Sequence, residues 1–263
     1  MKQAICLCLL VALLLCGCVQ DTKPTEPTVP ETTIPETTVP ETTIPETTVP
    51  EETKPEHSEL YIPGVPVEDV ITWFNEVCLD GEYIHSGDPS VVQKWSEPIC
   101  YSIEGDSTPE DLAILEDFAL SLNEIAGFPG ISMAQPDEWV NLRIHFTDAT
   151  GLTDIMGPDY VNLDGAVTFW YDQNNEIYDA IICIRTDLDQ YLRNSVILEE
   201  LYNCLGPIQD TQLRPDSIIW QDFAEPQSLT EEDWLILKLL YHPDILCGMD
   251  ASECEAVIRE LYY

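Results

Sequence analysis

The sequence predicts an α+β domain with a mixed β-sheet, preceded by a disordered, extended stalk. Three observations predict it. Thr-Thr-Ile/Val-Pro-Glu repeats fill residues 32–51, and a proline stands at every fifth position from Pro30 to Pro55. From about residue 60, stretches of period 3.6 and of period 2 follow in the order helix, strands, long helix, helices, which does not suit a regular βαβ chain. The last two strands are joined by Asp172-Gln-Asn-Asn-Glu176, a hairpin-like turn just ahead of the long helix.

The first 17 residues read as an export signal. Lys2 precedes an apolar run from Ala4 to Leu15 that is too short for a permanent membrane helix. The run ends in Leu15-Cys16-Gly17-Cys18, with leucine at −3, glycine at −1 and cysteine at +1, and so resembles a bacterial lipoprotein signal with Cys18 as the lipidated residue. Cys16 fits less well, because bulky Leu15 would occupy −1. An ordinary secretory signal is the alternative. A Cys-anchored linker then covers 18–59. Its prolines forbid helix and disrupt a sheet ladder, so it is expected to be polyproline-like and to reach about 120 Å. Its paired threonines suit either O-glycosylation or a bare spacer.

The domain, residues 60–263, is long enough for one sizeable core. The formal net charge of −39 argues against nucleic acid and anionic lipid headgroups as partners. No EF-hand loop, P-loop, dinucleotide fingerprint or G-x-S-x-G occurs, and no cofactor is expected. Beyond Cys18 the cysteines are Cys78, Cys100, Cys183, Cys204, Cys247 and Cys254. In an exported domain they permit disulfides, with Cys247 and Cys254 the most plausible local pair, or they are free buried thiols.

Each element has its own signal. Val67, Val70, Ile71, Phe74 and Val77 line one face of a helix over 67–79. A strand region covers 91–103. Thr108-Pro109-Glu110-Asp111 starts a second helix, with Leu112, Leu115, Phe118, Leu122 and Ile125 on one face and Gly127 at its end. Leu142, Ile144 and Phe146 alternate with Arg143 and His145 in a half-buried strand. Strands at 167–171 and 177–184 form the hairpin, and helices follow at 189–205, 230–241 and 251–261.

The helix at 189–205 carries the most informative segment. Laid over the zinc-protease pattern H-E-x-x-H-x-x-G-x-x-H, it keeps Glu200 at the general-base position and Gly206 where the helix turns away. The three ligand positions fall on Glu199, Asn203 and Gln209, none of them histidine. Catalytic zinc needs three protein ligands and an open position for water, and one carboxylate with two amides is a poor set. Glu200 then has no metal-bound water to deprotonate, so no catalytic residue and no metal ligand are expected.

Several segments in order carry a resemblance: Lys94-Trp95 with Pro98-Ile99, Asn141-Leu142, Glu199-Glu200 with Leu205-Gly206, Asp216-Ser217-Ile218, and Leu239-Leu240-Tyr241-His242-Pro243 with Gly248-Met249. Together they resemble the bacterial family called domain of unknown function 2927, over nearly all of 65–263. The family name implies no activity. A more distant likeness is to metzincin-type metallopeptidases. There a methionine turn would fall at Ile219 and a helix resembling D-D-x-x-x-x-x-L-Y at Glu232-Asp233 to Leu240-Tyr241, which implies a zincin-like fold without its zinc ligands.

Other constellations are thin. A zinc site from His85, His145 and His242 has little support, since His145 lies on the polar face of a strand and His242 follows a helix end. Cys204 on a helix face reads as core or disulfide rather than nucleophile. Trp139, Trp170, Trp220 and Trp234 read as core before they read as a glycan platform. The expectation is a lipid-anchored protein on the extracellular face of a bacterial membrane. Its domain would bind or scaffold a surface protein, a peptide or a cell-wall ligand. The alternatives are a peptidase or hydrolase with an unorthodox metal site, and a glycan-binding module.

Overall fold

The computed structural model describes residues 58–79 and 90–263. The signal, Cys18, most of the linker, His57 and His85 lie outside them. No helix among the described residues is long and apolar enough to cross a membrane.

Helix α1 (Val67–Cys78) buries Val67, Val70, Ile71, Phe74 and Val77, the face its period predicts. Strands β1 (Lys94–Trp95) and β2 (Ile99–Gly105) follow, broken apart around Pro98. Helix α2 (Pro109–Leu122) opens on a full capping box: Thr108 accepts from the Asp111 amide while the Asp111 carboxyl accepts from the Thr108 amide. It stops at Leu122, five residues before the glycine expected to end it. Asn123 caps it there and clamps β3 (Ile131–Met133), accepting from the Ile131 amide at 2.8 Å and donating to the Ile131 carbonyl at 2.9 Å. Leu112, placed on the buried face by period alone, is 38 % exposed.

Strand β4 (Leu142–Thr147) alternates as expected. Helix α3 (Ala149–Met156), capped by Asp148, and a 3-10 turn at Pro158–Tyr160 then lead to the hairpin β5 (Gly165–Tyr171) and β6 (Glu176–Arg185). At its tip the Asp172 amide donates to the Glu176 carbonyl at 3.0 Å, and Asn175 takes a left-handed φ of 63°. Helices α4 (Gln190–Asn203), α5 (Glu231–Leu240) and α6 (Ala251–Leu261) complete the chain.

The sheet is mixed, but parallel pairing dominates more than the sequence suggests. Its order is β1-β6-β4-β2-β3, all parallel, and β5 pairs with β6 antiparallel. Helix α2 is a crossover between the parallel neighbours β2 and β3. Register puts Leu142, Ile144 and Phe146 beside Ala180, Ile182 and Ile184 on one face, with Phe169, Val167 and Gly165 continuing the same rows. Helix α4 lies against β5 and β6, and α2 against α4.

The segments that carried the family resemblance are cross-links between these elements. The Lys94 ammonium donates to the Leu240 carbonyl at 2.7 Å and to the Ile245 carbonyl, and the Trp95 indole donates to the Cys204 carbonyl at 2.9 Å. Asn141 accepts from the Cys100 amide and donates to the Pro98 carbonyl, fastening β4 to the start of β2. The Tyr241 hydroxyl donates to the Leu205 carbonyl at 2.8 Å. The amides of Val92 and Gly248 donate to the carbonyls of Met249 and Val92. Gly206 has a φ of 120°, and a Cβ there would meet the Gln93 carbonyl oxygen at 2.4 Å, so only glycine lets the chain turn away from α4 so close to β1.

Candidate functional site

Helix α4 is fixed at its N-terminal end. Asp189 caps it, and the guanidinium of buried Arg193 donates from Nε to Asp111 at 3.1 Å and from Nη1 to the Thr186 carbonyl at 3.0 Å. Its third guanidinium nitrogen reaches Gln190, which itself donates to Asp111 at 2.6 Å. Strand β5 meets the helix at a glycine for a steric reason. A Cβ on Gly165 would stand 2.4 Å from Val196 Cγ1 and 2.8 Å from Glu200 Oε1.

The loop from Ile208 to Pro226 is held from beneath by Asp233. This fully buried carboxylate accepts from Arg214 Nη1 and Ser217 Oγ, both at 2.6 Å, and from the Ile218 and Thr230 amides at 3.1 and 3.0 Å. Asp216-Ser217-Ile218 and Glu232-Asp233 are therefore one structural unit. A parallel bridge between Thr211 and Trp220 closes the loop.

These three parts enclose a cavity of about 670 Å³. Its floor is α4 through Leu192, Val196, Glu199, Glu200 and Asn203. One wall is β5 from Gly165 to Phe169, and the other is the loop with Ile208, Asp210, Trp220 and Phe223. Phe223 is 78 % exposed at the rim. Of the positions marked by the protease pattern, Glu199, Glu200 and Asn203 reach the cavity; Gln209 does not line it, and its neighbour Asp210 does. No local pattern marks Asp164, Asp210 or Gly165, which come from two loops and a strand start that the topology brings to one place.

The β5 edge along the cavity is open. The Arg185 amide donates to the Asp164 carbonyl at 3.0 Å, which with the observed register makes Asp164 and Arg185 a hydrogen-bonded pair. Alternation along the ladder then turns the amides and carbonyls of Gly165, Val167 and Phe169 away from β6. Among the described residues β5 pairs with β6 alone.

The electrostatics of the floor are one-sided. Glu200 is only 7 % exposed and its carboxyl makes no hydrogen bond or ion pair with any described residue. Burial, then Glu199, then Asp210 push it far above the usual carboxylate range. Burial, Asp210 and Asp164 push Glu199 up to about 8. Asn203 Oδ1 is buried with no hydrogen-bond partner. Among the described residues, no lysine, arginine or histidine lines the cavity.

The donor set does not fit catalytic zinc. Protonated carboxyls and an amide are poor ligands at neutral pH. Among the described residues no three His, Cys, Asp or Glu side chains converge to hold a metal. The two described histidines are elsewhere: His145 Nδ1 lies 3.4 Å from Glu104 on β2, and His242 Nδ1 lies 3.7 Å from Asp244. Cys204 is fully buried, and burial followed by Glu200 raises its thiol beyond nucleophilic use. All six described cysteines are free, Cys247 and Cys254 included; Cys247 Sγ donates to the Lys94 carbonyl. The four tryptophans do not form one platform. Trp220 lines the cavity, Trp170 lies on β5, Trp234 packs on Phe118 with ring centroids 5.7 Å apart, and Trp139 is 80 % exposed outside the cavity lining.

No curated protein matches the sequence. The family model described as "Protein of unknown function (DUF2927)" matches residues 68–260, the whole span from α1 to α6 that builds the sheet, the cross-links and the cavity, and the chain belongs to that family.

Proposed function

We propose that this protein is a lipid-anchored component of the bacterial cell surface whose domain binds an extended peptide segment of a surface partner without cutting it. The observation that carries the reading is the open edge of β5 beside the 670 Å³ cavity. A peptide laid along Gly165, Val167 and Phe169 adds a strand to the sheet through main-chain hydrogen bonds, while the cavity takes its alternate side chains. An antiparallel edge strand facing a helix that carries Glu200 supports the zincin-like reading of the fold, with the substrate cleft retained as a recognition groove. The non-cutting part rests on the floor: without a metal-bound water, buried and protonated Glu200 has nothing to activate.

The test is selection of a random dodecapeptide library on the purified chain, followed by affinity measurement with Val167→Pro. Proline removes an amide that faces the groove and not β6, and an edge strand tolerates it. Enriched peptides are expected to lose at least about tenfold in affinity on Val167→Pro, with the far-UV spectrum unchanged. If no peptide is enriched, or if the variant binds as the parent does, strand addition at β5 is wrong. Retention on purified peptidoglycan without peptide enrichment favours the glycan reading. Peptide hydrolysis that disappears in Glu200→Gln favours the hydrolase reading.

A further inference from the structure

Most buried polar side chains of the segments that mark the family are bonded across elements: Lys94, Trp95, Asn141, Ser217 and Tyr241 each reach another element. Glu199 and Glu200 differ. The two glutamates bond to nothing described and face the cavity. Two further facts fix what is missing. Asn203 Oδ1, a neutral acceptor, is buried at the same floor with no donor. Among the described residues, Asp164, Glu199, Glu200, Asp210 and Asp222 line the cavity and no cationic side chain does. Glu199, Glu200 and Asn203 Oδ1, the groups there without a described partner, are two acids and an acceptor, so the complement is a donor that carries positive charge.

We propose that the floor of the groove is a subsite for a basic side chain, an ammonium-bearing lysine of the bound peptide, seated among Glu199, Glu200 and the Asn203 carbonyl. The proposal rests on the peptide-binding reading above. An ammonium has three donors and no acceptor, which answers two carboxylates and one amide oxygen. Its contacts are made at about 2.8 Å, longer than a zinc ligand distance of about 2.0–2.3 Å, so acceptors too far apart for a metal still serve it. The lysine stem fits the apolar part of the cleft at Leu192 and Val196, both on the face of α4 that lines it. Seating the cation returns charge to glutamates that are protonated when the groove is empty, so binding releases a proton to solvent. Affinity therefore rises with pH through the range in which Glu199 titrates, up to about 8. Nearby Arg185 does not compete for the site, since its guanidinium is held by Asp164 and Asp187 at 2.9 and 2.8 Å.

The experiment uses the full chain in detergent and three blocked pentapeptides, Ala-Val-Lys-Val-Ala and its norleucine and glutamate counterparts. Calorimetry at pH 7 is run in two buffers of different ionisation enthalpy. The lysine peptide is expected to bind at least about tenfold more tightly than the norleucine peptide and to release about one proton. Glu199→Gln with Glu200→Gln is expected to abolish both the discrimination and the proton release. Should the double variant misfold, half-buried Glu199→Gln alone is expected to diminish both. Equal affinity for lysine and norleucine overturns the subsite and leaves the peptide groove standing. If no peptide binds, n-butylammonium is titrated alone: proton release then keeps the cation subsite and removes the peptide reading, and silence overturns both. Displacement of the lysine peptide by stoichiometric zinc or calcium overturns the proposal in favour of a metal.

Discussion

Asp233 and Glu200 are both buried carboxyls, and their surroundings give them opposite consequences. Asp233 accepts four hydrogen bonds, one of them from the buried Arg214 guanidinium. Asp233→Ala leaves Arg214 without its counter-ion and frees the loop wall of the cavity, so it is expected to cost about 3–5 kcal/mol in urea denaturation. Glu200 has no such partners, and with Glu199 it keeps its proton in the folded chain where the unfolded chain has lost it. Between the ordinary 4.5 and about 8 for Glu199 the folded state thus binds more protons, and stability falls as pH rises through that window. Mutual repulsion in a chain of net charge −39 acts in the same direction, so the difference between variants is the informative quantity. Glu200→Gln is expected to raise stability at pH 8 by about 1 kcal/mol or more and to leave it nearly unchanged at pH 4. Urea midpoints at the two pH values check this, and equal effects at both would contradict the buried, protonated state.

Among elements, the contact between β5 and α4 decides whether a groove exists. Gly165→Ala places a methyl against Val196 and Glu200 and must push the strand from the helix, at about 1–3 kcal/mol. Thermal unfolding with and without a bound peptide checks this, and the loss in peptide affinity is expected to exceed the loss in stability. Elements with strong local signals were readable from sequence: α1 from its period, α2 from its threonine cap, proline and first-turn acids, β4 from alternation, the hairpin from its turn. Those it missed have weak ones. Strand β3 is three residues with one buried, and α3 opens on Ala149-Thr150-Gly151 and fully buries only Leu152. Parallel pairing was invisible for another reason. It joins segments distant in sequence, and no local period reports which strand will lie beside which.

At the scale of the whole molecule, the site was half legible. Glu199, Glu200 and Asn203 stood out because a single helix carries them at a familiar spacing. Asp164 and Asp210 meet them only through the fold of two loops, and Gln209 was placed one residue from the side chain that arrives. The linker and anchor are proposals about residues outside the described structure, and they have their own check: Cys18→Ala is expected to move the protein from the detergent to the aqueous phase in Triton X-114 partition. The central claim is that β5 takes a peptide as an added strand. Hydrogen exchange at the amides of Val167 and Phe169, read by NMR with and without a saturating selected peptide, tests it most directly. These two amides are expected to slow by about tenfold or more on binding while Thr168, already bonded to β6, changes little. Unchanged exchange at Val167 and Phe169 with peptide bound would contradict it.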